Sequence, residues 1–246
     1  MNHNYYPDLH VPLSHLKGED YKDACHLFHA IFPKTIVNSI GIEEQTLSYI
    51  IRHTQLLPRH LLKHLNAIFA WQRRNNKSHG PSPAITAEAI RRGMYDIENN
   101  LCQEIFSAFS YRYKAAKSVC DRCIPELPFC FSHGDLQKVF NSHGKKAMGN
   151  DDFYQFKKML IEIGAIGKVL RKTEKYIEGL FEYTLPHHLV SGTTDELCLH
   201  PAFIKVFFAR RGPCDDGVMR SVYPYGTEMD GSDMDVLGGG WDYGDG

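Results

Sequence analysis

The chain has 246 residues, a hydrophobic fraction of 43% and a formal net charge of −1. This composition is typical of a globular protein with one or two domains, and no run approaches the roughly 20 apolar residues that a membrane helix needs. Seven cysteines scattered along the chain argue against a disulfide framework, so we expect a cytoplasmic protein with reduced thiols and no membrane partner.

Charge is distributed unevenly along the chain. Residues 212–246 contain eight acidic side chains and one arginine, whereas residues 1–211 contain 27 basic and 21 acidic side chains. A glycine-rich acidic segment of this kind is typical of disorder. We therefore expect a disordered tail over 212–246, which either competes with nucleic acid for a basic surface or only confers solubility.

Helical periodicity dominates the first half of the chain. After an N-terminal extension over 1–16, apolar spacing predicts a helix over 18–32. A second helix is predicted over 43–52, with Glu43 and Glu44 in its first turn, where the helix dipole favours carboxylates.

Two longer helices follow. Pro58 is predicted to start one that reaches Asn75. Thr86 is predicted to cap another, which carries an apolar stripe from Ile90 to Ala108 and reaches Lys117. The sequence between Gln45 and Ala87 contains no acidic residue. This basic window predicts a face that contacts phosphate groups, a solvated helix flank, or an interface with an acidic partner.

The pattern changes after residue 118. Short helices are predicted from Ser132 and over 151–163, followed by two strands over 166–170 and 176–183. Two helices and a β-hairpin in this order are typical of a winged-helix domain, whose second helix can enter a major groove. The candidate DNA contacts are polar residues of that helix and of the hairpin: Tyr154, Gln155, Lys157, Lys158, Lys168, Arg171, Lys172 and Lys175.

Four potential zinc ligands lie close together in the sequence. Cys120, Cys123, Cys130 and His133 form a Cys-x2-Cys-x6-Cys-x2-His pattern, and thiolates and imidazoles are the donors that zinc prefers. The alternative is that these cysteines are small buried hydrophobic residues. Apart from this zinc site, no cofactor is expected.

Two segments resemble a known family. Arg52-x-Thr54-x-x-x-Pro58-Arg59, followed by a helix and Asn66, resembles the lid segment of bacterial P-loop ATPases related to the AAA and STAND group. Several further motifs of this chain resemble the winged-helix region that follows the lid in that group: Asp135-Leu136-Gln137-Lys138-Val139-Phe140, Gly144-Lys145-Lys146-Ala147, Phe153-Tyr154-x-Phe156, Leu160-Ile161-Glu162-Ile163-Gly164-Ala165-Ile166-Gly167, Glu182-Tyr183-Thr184-Leu185-Pro186-His187 and Glu196-Leu197-Cys198-Leu199-His200-Pro201.

The resemblance implies a mainly α fold, with a helical lid-like domain over 17–117 and a winged-helix domain, helices plus a β-hairpin wing, over 118–211. It also implies that Arg59 senses the nucleotide of an ATPase core. Because the chain has no Gly-x-x-x-x-Gly-Lys-[Ser/Thr] loop to hold a triphosphate, that core would have to belong to another chain.

These observations together predict a non-enzymatic protein. The sequence contains no Gly-x-Ser-x-Gly or His-Glu-x-x-His motif, which would indicate a hydrolase or a metalloprotease. We expect a regulatory module that binds duplex DNA through its winged helix. The alternatives are a protein-protein interaction scaffold that acts with a separate ATPase chain, and a zinc-stabilised binding module.

Overall fold

The computed structural model describes residues 28–75, 85–185, 187–210 and 217–224. Within these ranges the chain forms two hydrophobic cores that share one long helix. The predicted extension over 1–16 and most of the predicted helix over 18–32 lie outside the described residues.

The first core, which we call the N-terminal unit, combines a small sheet with three helices. Strands β1 (Thr35–Val37) and β2 (Glu43–Gln45) pair antiparallel. They are followed by helices α1 (Thr46–Ile51), α2 (Pro58–Asn75) and α3 (Ala87–Phe109). Buried apolar side chains of all three helices, among them Ile50, Ile68, Ile90 and Met94, form this core.

The starts of the two long helices are confirmed. Helix α2 begins at Pro58, and the Thr86 hydroxyl caps α3 by accepting a 3.1 Å hydrogen bond from the Ala89 amide. Helix α3 ends at Phe109 and does not reach Lys117. At its end the Ser110 hydroxyl donates to the Ser107 carbonyl, a local side-chain bond that competes with continued helix.

The second core, which we call the sheet unit, contains five helices and five strands among its described residues. In chain order these are α4 (Ala116–Cys123), a 3-10 turn (Ile124–Glu126), β3 (Cys130–Ser132), α5 (His133–Val139), a π-helical turn (Phe140–Gly144), α6 (Lys145–Met148), α7 (Phe153–Glu162), β4 (Ile166–Lys172), β5 (Tyr176–Leu180), a 3-10 turn (Glu182–Thr184), β6 (Glu196–Leu199), α8 (Pro201–Val206) and β7 (Ser221–Pro224).

The five strands form one mixed sheet in the order β3-β6-β4-β5-β7. Pairing is antiparallel except between β5 and β7, where Tyr176 lies opposite Ser221 in a parallel register. The C-terminal half of α3 packs on this unit through Cys102, Ile105 and Phe106, which are buried, so α3 extends across both cores.

Local sequence explains where the helices of the sheet unit begin. Ser132 and Asp135 form a reciprocal capping box at the start of α5. The Asp152 carboxylate accepts from the Gln155 amide at the start of α7. Helix α8 begins with Pro201, and His200 caps it by accepting a 3.2 Å bond from the Ala202 amide.

The predicted fold class is wrong: the protein has a mixed α/β fold and is not mainly α with a β-hairpin wing. The two predicted strands exist as β4 and β5, but they are the inner part of a five-stranded sheet. The short strands on either side of them, three or four residues each, pair with partners far away in the chain, which no local pattern indicates.

Two further predictions need correction. The predicted helix over 43–52 begins as strand β2, because Glu44 takes part in the β1–β2 ladder and the helix starts only at Thr46. The predicted disordered tail over 212–246 contains β7, whose four residues are all buried. Residues 217–220, which precede β7, are also described, and the rest of that segment lies outside the described residues.

The N-terminal unit and the sheet unit are joined by polar contacts as well as by α3. The Glu44 carboxylate of β2 accepts hydrogen bonds from the Ser221 and Tyr223 hydroxyls of β7. The Thr54 carbonyl, which follows α1, accepts a 3.0 Å bond from His200 Nε2. Burial lowers the pKa of His200 to about 3, so this imidazole is neutral and donates only one ring proton.

Candidate functional site

A cleft of about 330 Å³ lies where the N-terminal unit meets the sheet unit. We call it the basic cleft, because among the described residues five cationic side chains line it and only one carboxylate does. Two lie on α3, one on α8, one directly after α1 and one directly before β7. The cations are Arg52, Arg91, Arg92, Lys205 and Arg220, and the carboxylate is that of Glu88. Tyr49, Tyr95, Asn38 and Ser39 add aromatic rings and hydrogen-bonding groups.

Arg52 forms the floor of the basic cleft and is held rigidly. Its Nε lies 2.7 Å from Glu44 Oε2 and its Nη2 lies 2.9 Å from Glu44 Oε1, a bidentate pair that is almost fully buried. The guanidinium also lies over the rings of Tyr49 and Tyr223, at 5.0 and 5.4 Å from their centroids. This geometry fixes the plane of the guanidinium before any ligand arrives.

Glu44 is ionised within this cluster. Burial alone would raise its pKa, but the charge of Arg52 and hydrogen bonds from Tyr223 and Asn38 outweigh burial and hold the pKa below its ordinary value. The charge of Arg52 is therefore largely neutralised, and its main contribution is to position the neighbouring groups.

A second buried carboxylate lies behind the cleft. Glu98 of α3 has Lys205 Nζ at 3.1 Å and His53 Nδ1 at 2.6 Å, although the imidazole contact lacks hydrogen-bond geometry. Burial raises the pKa of Glu98, opposed by the charges of Lys205 and His64. Burial and the charge of Arg52 hold the pKa of His53 well below its ordinary value, so Lys205 is the cation of this cluster.

The outer wall of the basic cleft carries two adjacent arginines. Arg92 Nε lies 2.9 Å from Glu88 Oε1, and Arg91 contacts Glu88 more weakly at 3.5 Å. Both side chains are 41% or more exposed, so their ion pairs with Glu88 are weak in water. On the opposite side Arg220 donates to the backbone carbonyls of Thr173 and Val218.

Arg59, the predicted nucleotide-sensing residue, lies elsewhere. It is exposed in the first turn of α2 and is absent from the residues that line the basic cleft. Arg52, the first arginine of the same motif, occupies the cleft floor. The structure therefore separates the two arginines that the sequence places together.

Three of the four predicted DNA contacts in the β4–β5 hairpin are paired with carboxylates. Lys168 lies 3.0 Å from Asp195, Arg171 lies 3.2 Å from Glu178, and Lys172 pairs with Glu196. Lys175, at the turn, is exposed. These ion pairs reduce the positive charge that the hairpin offers to phosphate groups.

The predicted contacts on α7 divide between its surface and its core. Tyr154 is 69% exposed and Gln155 is exposed, whereas Lys158 is only partly exposed. Lys157 is buried, contrary to its predicted place on the polar face. Lys157 lies four residues after Phe153 and three before Leu160. Because residues three and four apart lie on the same face of a helix, Lys157 shares the buried face of α7.

The four predicted zinc ligands do not form a cluster. Cys120, Cys123 and Cys130 are fully buried in the apolar core of the sheet unit, and burial raises the pKa of the Cys123 thiol to about 12. Over the described ranges, no group of three histidine, cysteine or acidic side chains is arranged to hold a metal ion. The geometry thus gives the zinc hypothesis no support.

The residues of the basic cleft were missed because they come from several elements that are far apart in the chain. Two signals were visible in the sequence. Arg91 and Arg92 are adjacent near the start of a capped helix, and Arg220 is the only basic residue between 212 and 246. Neither signal indicates that Arg220 lies in the same cleft as Arg91 and Arg92.

None of the helices within the described ranges is both long enough and apolar enough to cross a membrane. No protein-family model, curated protein or solved structure matches the chain.

Proposed function

We propose that this chain is a non-enzymatic binding module that holds a phosphate-bearing ligand in the basic cleft. The observation that carries the proposal is the convergence of Arg91, Arg92, Lys205 and Arg220 around the rigid Arg52. Arginines recognise phosphate oxygens two at a time through their planar fork. The cleft is compact, at about 330 Å³, which favours a single phosphate or pyrophosphate group over a broad surface contact.

The phosphate can come from a free nucleotide or from a nucleic-acid backbone, and binding experiments distinguish the two. Inorganic pyrophosphate, ADP and a labelled DNA duplex would each be titrated at about 50 and 200 mM salt, a range over which phosphate contacts weaken. Binding of pyrophosphate and ADP identifies a nucleotide site, and binding of the duplex alone identifies a backbone site. In either case the Arg91→Ala/Arg92→Ala double variant should bind about tenfold or more weakly.

The proposal fails if none of the three ligands binds at the lower salt concentration. It also fails if the double variant binds as tightly as the wild type. Circular dichroism of the double variant provides the folding control, since both arginines lie on the solvent side of α3 and their replacement by alanine suits a helix.

Duplex DNA binding through α7 is a second candidate function. It is favoured by the exposed Tyr154 and Gln155 in the first turn of α7 and by the exposed Lys175 at the hairpin turn. Fluorescence anisotropy with the labelled duplex tests it. The DNA contact would be assigned to α7 if Tyr154→Ala and Lys175→Glu bind the duplex more weakly while Arg91→Ala/Arg92→Ala binds it as tightly as the wild type. Unchanged binding by the first two variants would reject it.

Action with a separate ATPase chain also remains a hypothesis, and the exposed position of Arg59 is compatible with it. Arg59→Ala should then lower ATP turnover by the partner chain. Unchanged turnover in a complex of the two chains would reject a nucleotide-sensing role.

A further inference from the structure

A second cleft lies between α7 and residues 188–193. We call it the lysine cleft; its volume is about 450 Å³. Phe153, Ile161 and Leu189 supply apolar walls, and Lys157 supplies a cation. It shares no lining residue with the basic cleft, so it is a separate site.

Lys157 is unusual for a buried lysine. The residue is 8% exposed. Its Nζ donates to the Ser191 carbonyl at 2.9 Å and to the Gly192 carbonyl at 3.4 Å, and lies 3.3 Å from His133 Nδ1. No ion pair within 4 Å joins it to a carboxylate of the described chain. Buried charges are normally paired with an opposite charge. The ammonium group of Lys157 has no such counter-ion among the described residues, and an anionic ligand can supply one.

The two carboxylates that line the lysine cleft have other partners. Glu182 accepts from the Leu189 amide at 2.6 Å and lies 2.5 Å from His188 Nδ1. Glu162 accepts from the Tyr113 hydroxyl at 2.6 Å and from Arg112 at 3.0 Å. Neither neutralises Lys157 directly. Burial lowers the pKa of Lys157, and the nearby charge of Asp195 opposes that shift.

A buried hydroxyl adds a second unused group. Ser191 Oγ is buried and has no hydrogen-bond partner among the described residues. Its own carbonyl is the acceptor nearest to Lys157 Nζ, and both residues line the cleft, so Ser191 lies beside the ammonium group. An unpaired buried polar group is costly, and an anionic oxygen bound here would satisfy both the hydroxyl and the ammonium group.

We propose that the lysine cleft binds a small carboxylate with an apolar body, such as a medium-chain fatty acid. The carboxylate contacts Lys157 and Ser191, and the hydrocarbon packs against Phe153, Ile161 and Leu189. A phosphate ligand fits this site less well, because no arginine is among its lining residues. Lys158 also lines the cleft, so two lysines face Glu162 and Glu182 there, and the two carboxylates repel a dianion more strongly than a monovalent carboxylate.

Isothermal titration calorimetry with octanoate tests the proposal, with octanol as the uncharged control ligand. We expect octanoate to bind the wild type at one site and octanol to bind about tenfold or more weakly. Lys157→Met keeps the length of the side chain and removes its charge, and should weaken octanoate by about tenfold or more. The matched control is Lys146→Met, an exposed lysine outside the cleft, which should not change octanoate affinity.

Ser191→Ala is the second variant and guards against misfolding of Lys157→Met. Because it removes a hydroxyl that has no partner, it should fold normally, yet it should weaken octanoate several-fold. Three results would overturn the proposal. Octanoate does not bind the wild type, it binds no more tightly than octanol, or it binds Ser191→Ala as tightly as the wild type. Arg91→Ala/Arg92→Ala should leave octanoate binding intact, so the two sites can fail independently.

Discussion

At the scale of single residues, Glu44 connects the two units. It accepts from Arg52 on its own unit and from Ser221 and Tyr223 on β7, and Asn38 donates to it as well. A fully bonded buried carboxylate fixes one arrangement of its neighbours. The floor of the basic cleft therefore depends on a residue that does not itself line the cleft.

Glu44→Gln should destabilise the protein strongly. The substitution leaves Arg52 buried without its counter-ion, which costs about 3–5 kcal/mol in the free energy of unfolding. Urea denaturation measures this cost. Glu43→Gln is the matched control, because Glu43 is exposed and its carboxylate accepts from Thr35 Oγ1; its effect should stay within about 0.5 kcal/mol. Equal effects of the two variants would contradict the role given to Glu44.

The contribution of Glu44 should also depend on pH. Its pKa in the folded protein lies below the ordinary value, so its stabilising effect is complete above the pKa of an unfolded carboxyl, about 4.3. The effect is lost as the pH falls through the lower folded pKa. The difference in unfolding free energy between the wild type and Glu44→Gln should therefore shrink below about pH 4.

This comparison isolates Glu44 from Glu98. Burial raises the pKa of Glu98, so protonation of Glu98 at low pH favours folding and opposes the trend from Glu44. Because Glu98 is present in both proteins, its effect cancels in the difference. A difference that stays constant between about pH 7 and pH 3 would show that the cluster does not lower the pKa of Glu44.

At the scale of elements, α2 and α3 cross in close contact at Gly93. A Cβ at this position would lie 2.5 Å from Ile68 Cα and 2.6 Å from Ile68 N, distances that only a shift of the helices can relieve. The glycine that weakens α3 as an isolated helix is therefore what lets its backbone approach α2.

Gly93→Ala should destabilise the protein by about 1–3 kcal/mol, although alanine is the better helix former. Thermal unfolding followed by circular dichroism measures the change. Gly134→Ala in the first turn of α5 is the control, since its Cβ would meet only Ser132 Oγ at 3.6 Å. That variant should be neutral or slightly stabilising. A Gly93→Ala protein as stable as the wild type would mean that the two helices separate at little cost.

The elements that sequence analysis predicted correctly have a clear local signal. Helices α2 and α3 have a proline or a capping threonine at their start and many turns of apolar spacing. Strands β3, β6 and β7 have three or four residues each, and β7 is buried along its whole length. Its register depends on β5, about 45 residues earlier in the chain, so local alternation carries no signal for it.

At the scale of the whole molecule, the basic cleft exists only because the N-terminal unit and the sheet unit meet. Arg52 and Arg220 line the same cleft, although they are far apart in the sequence and have different local contexts. The DNA contacts predicted on the hairpin had the correct chemistry, but Asp195 and Glu196, outside the hairpin, pair with two of its lysines. Long-range pairing of this kind could not be inferred from charge counts.

The most direct test of the proposed function compares two pairs of adjacent arginines. Arg91–Arg92 line the basic cleft, whereas Arg73–Arg74 end α2 and lie outside it. Alanine substitution of either pair removes the same charge, so long-range electrostatics are matched. The measurement is the affinity of inorganic pyrophosphate by calorimetry at about 50 mM salt. We predict a loss of about tenfold or more for Arg91→Ala/Arg92→Ala and little change for Arg73→Ala/Arg74→Ala; equal losses in the two variants would contradict a phosphate site in the cleft.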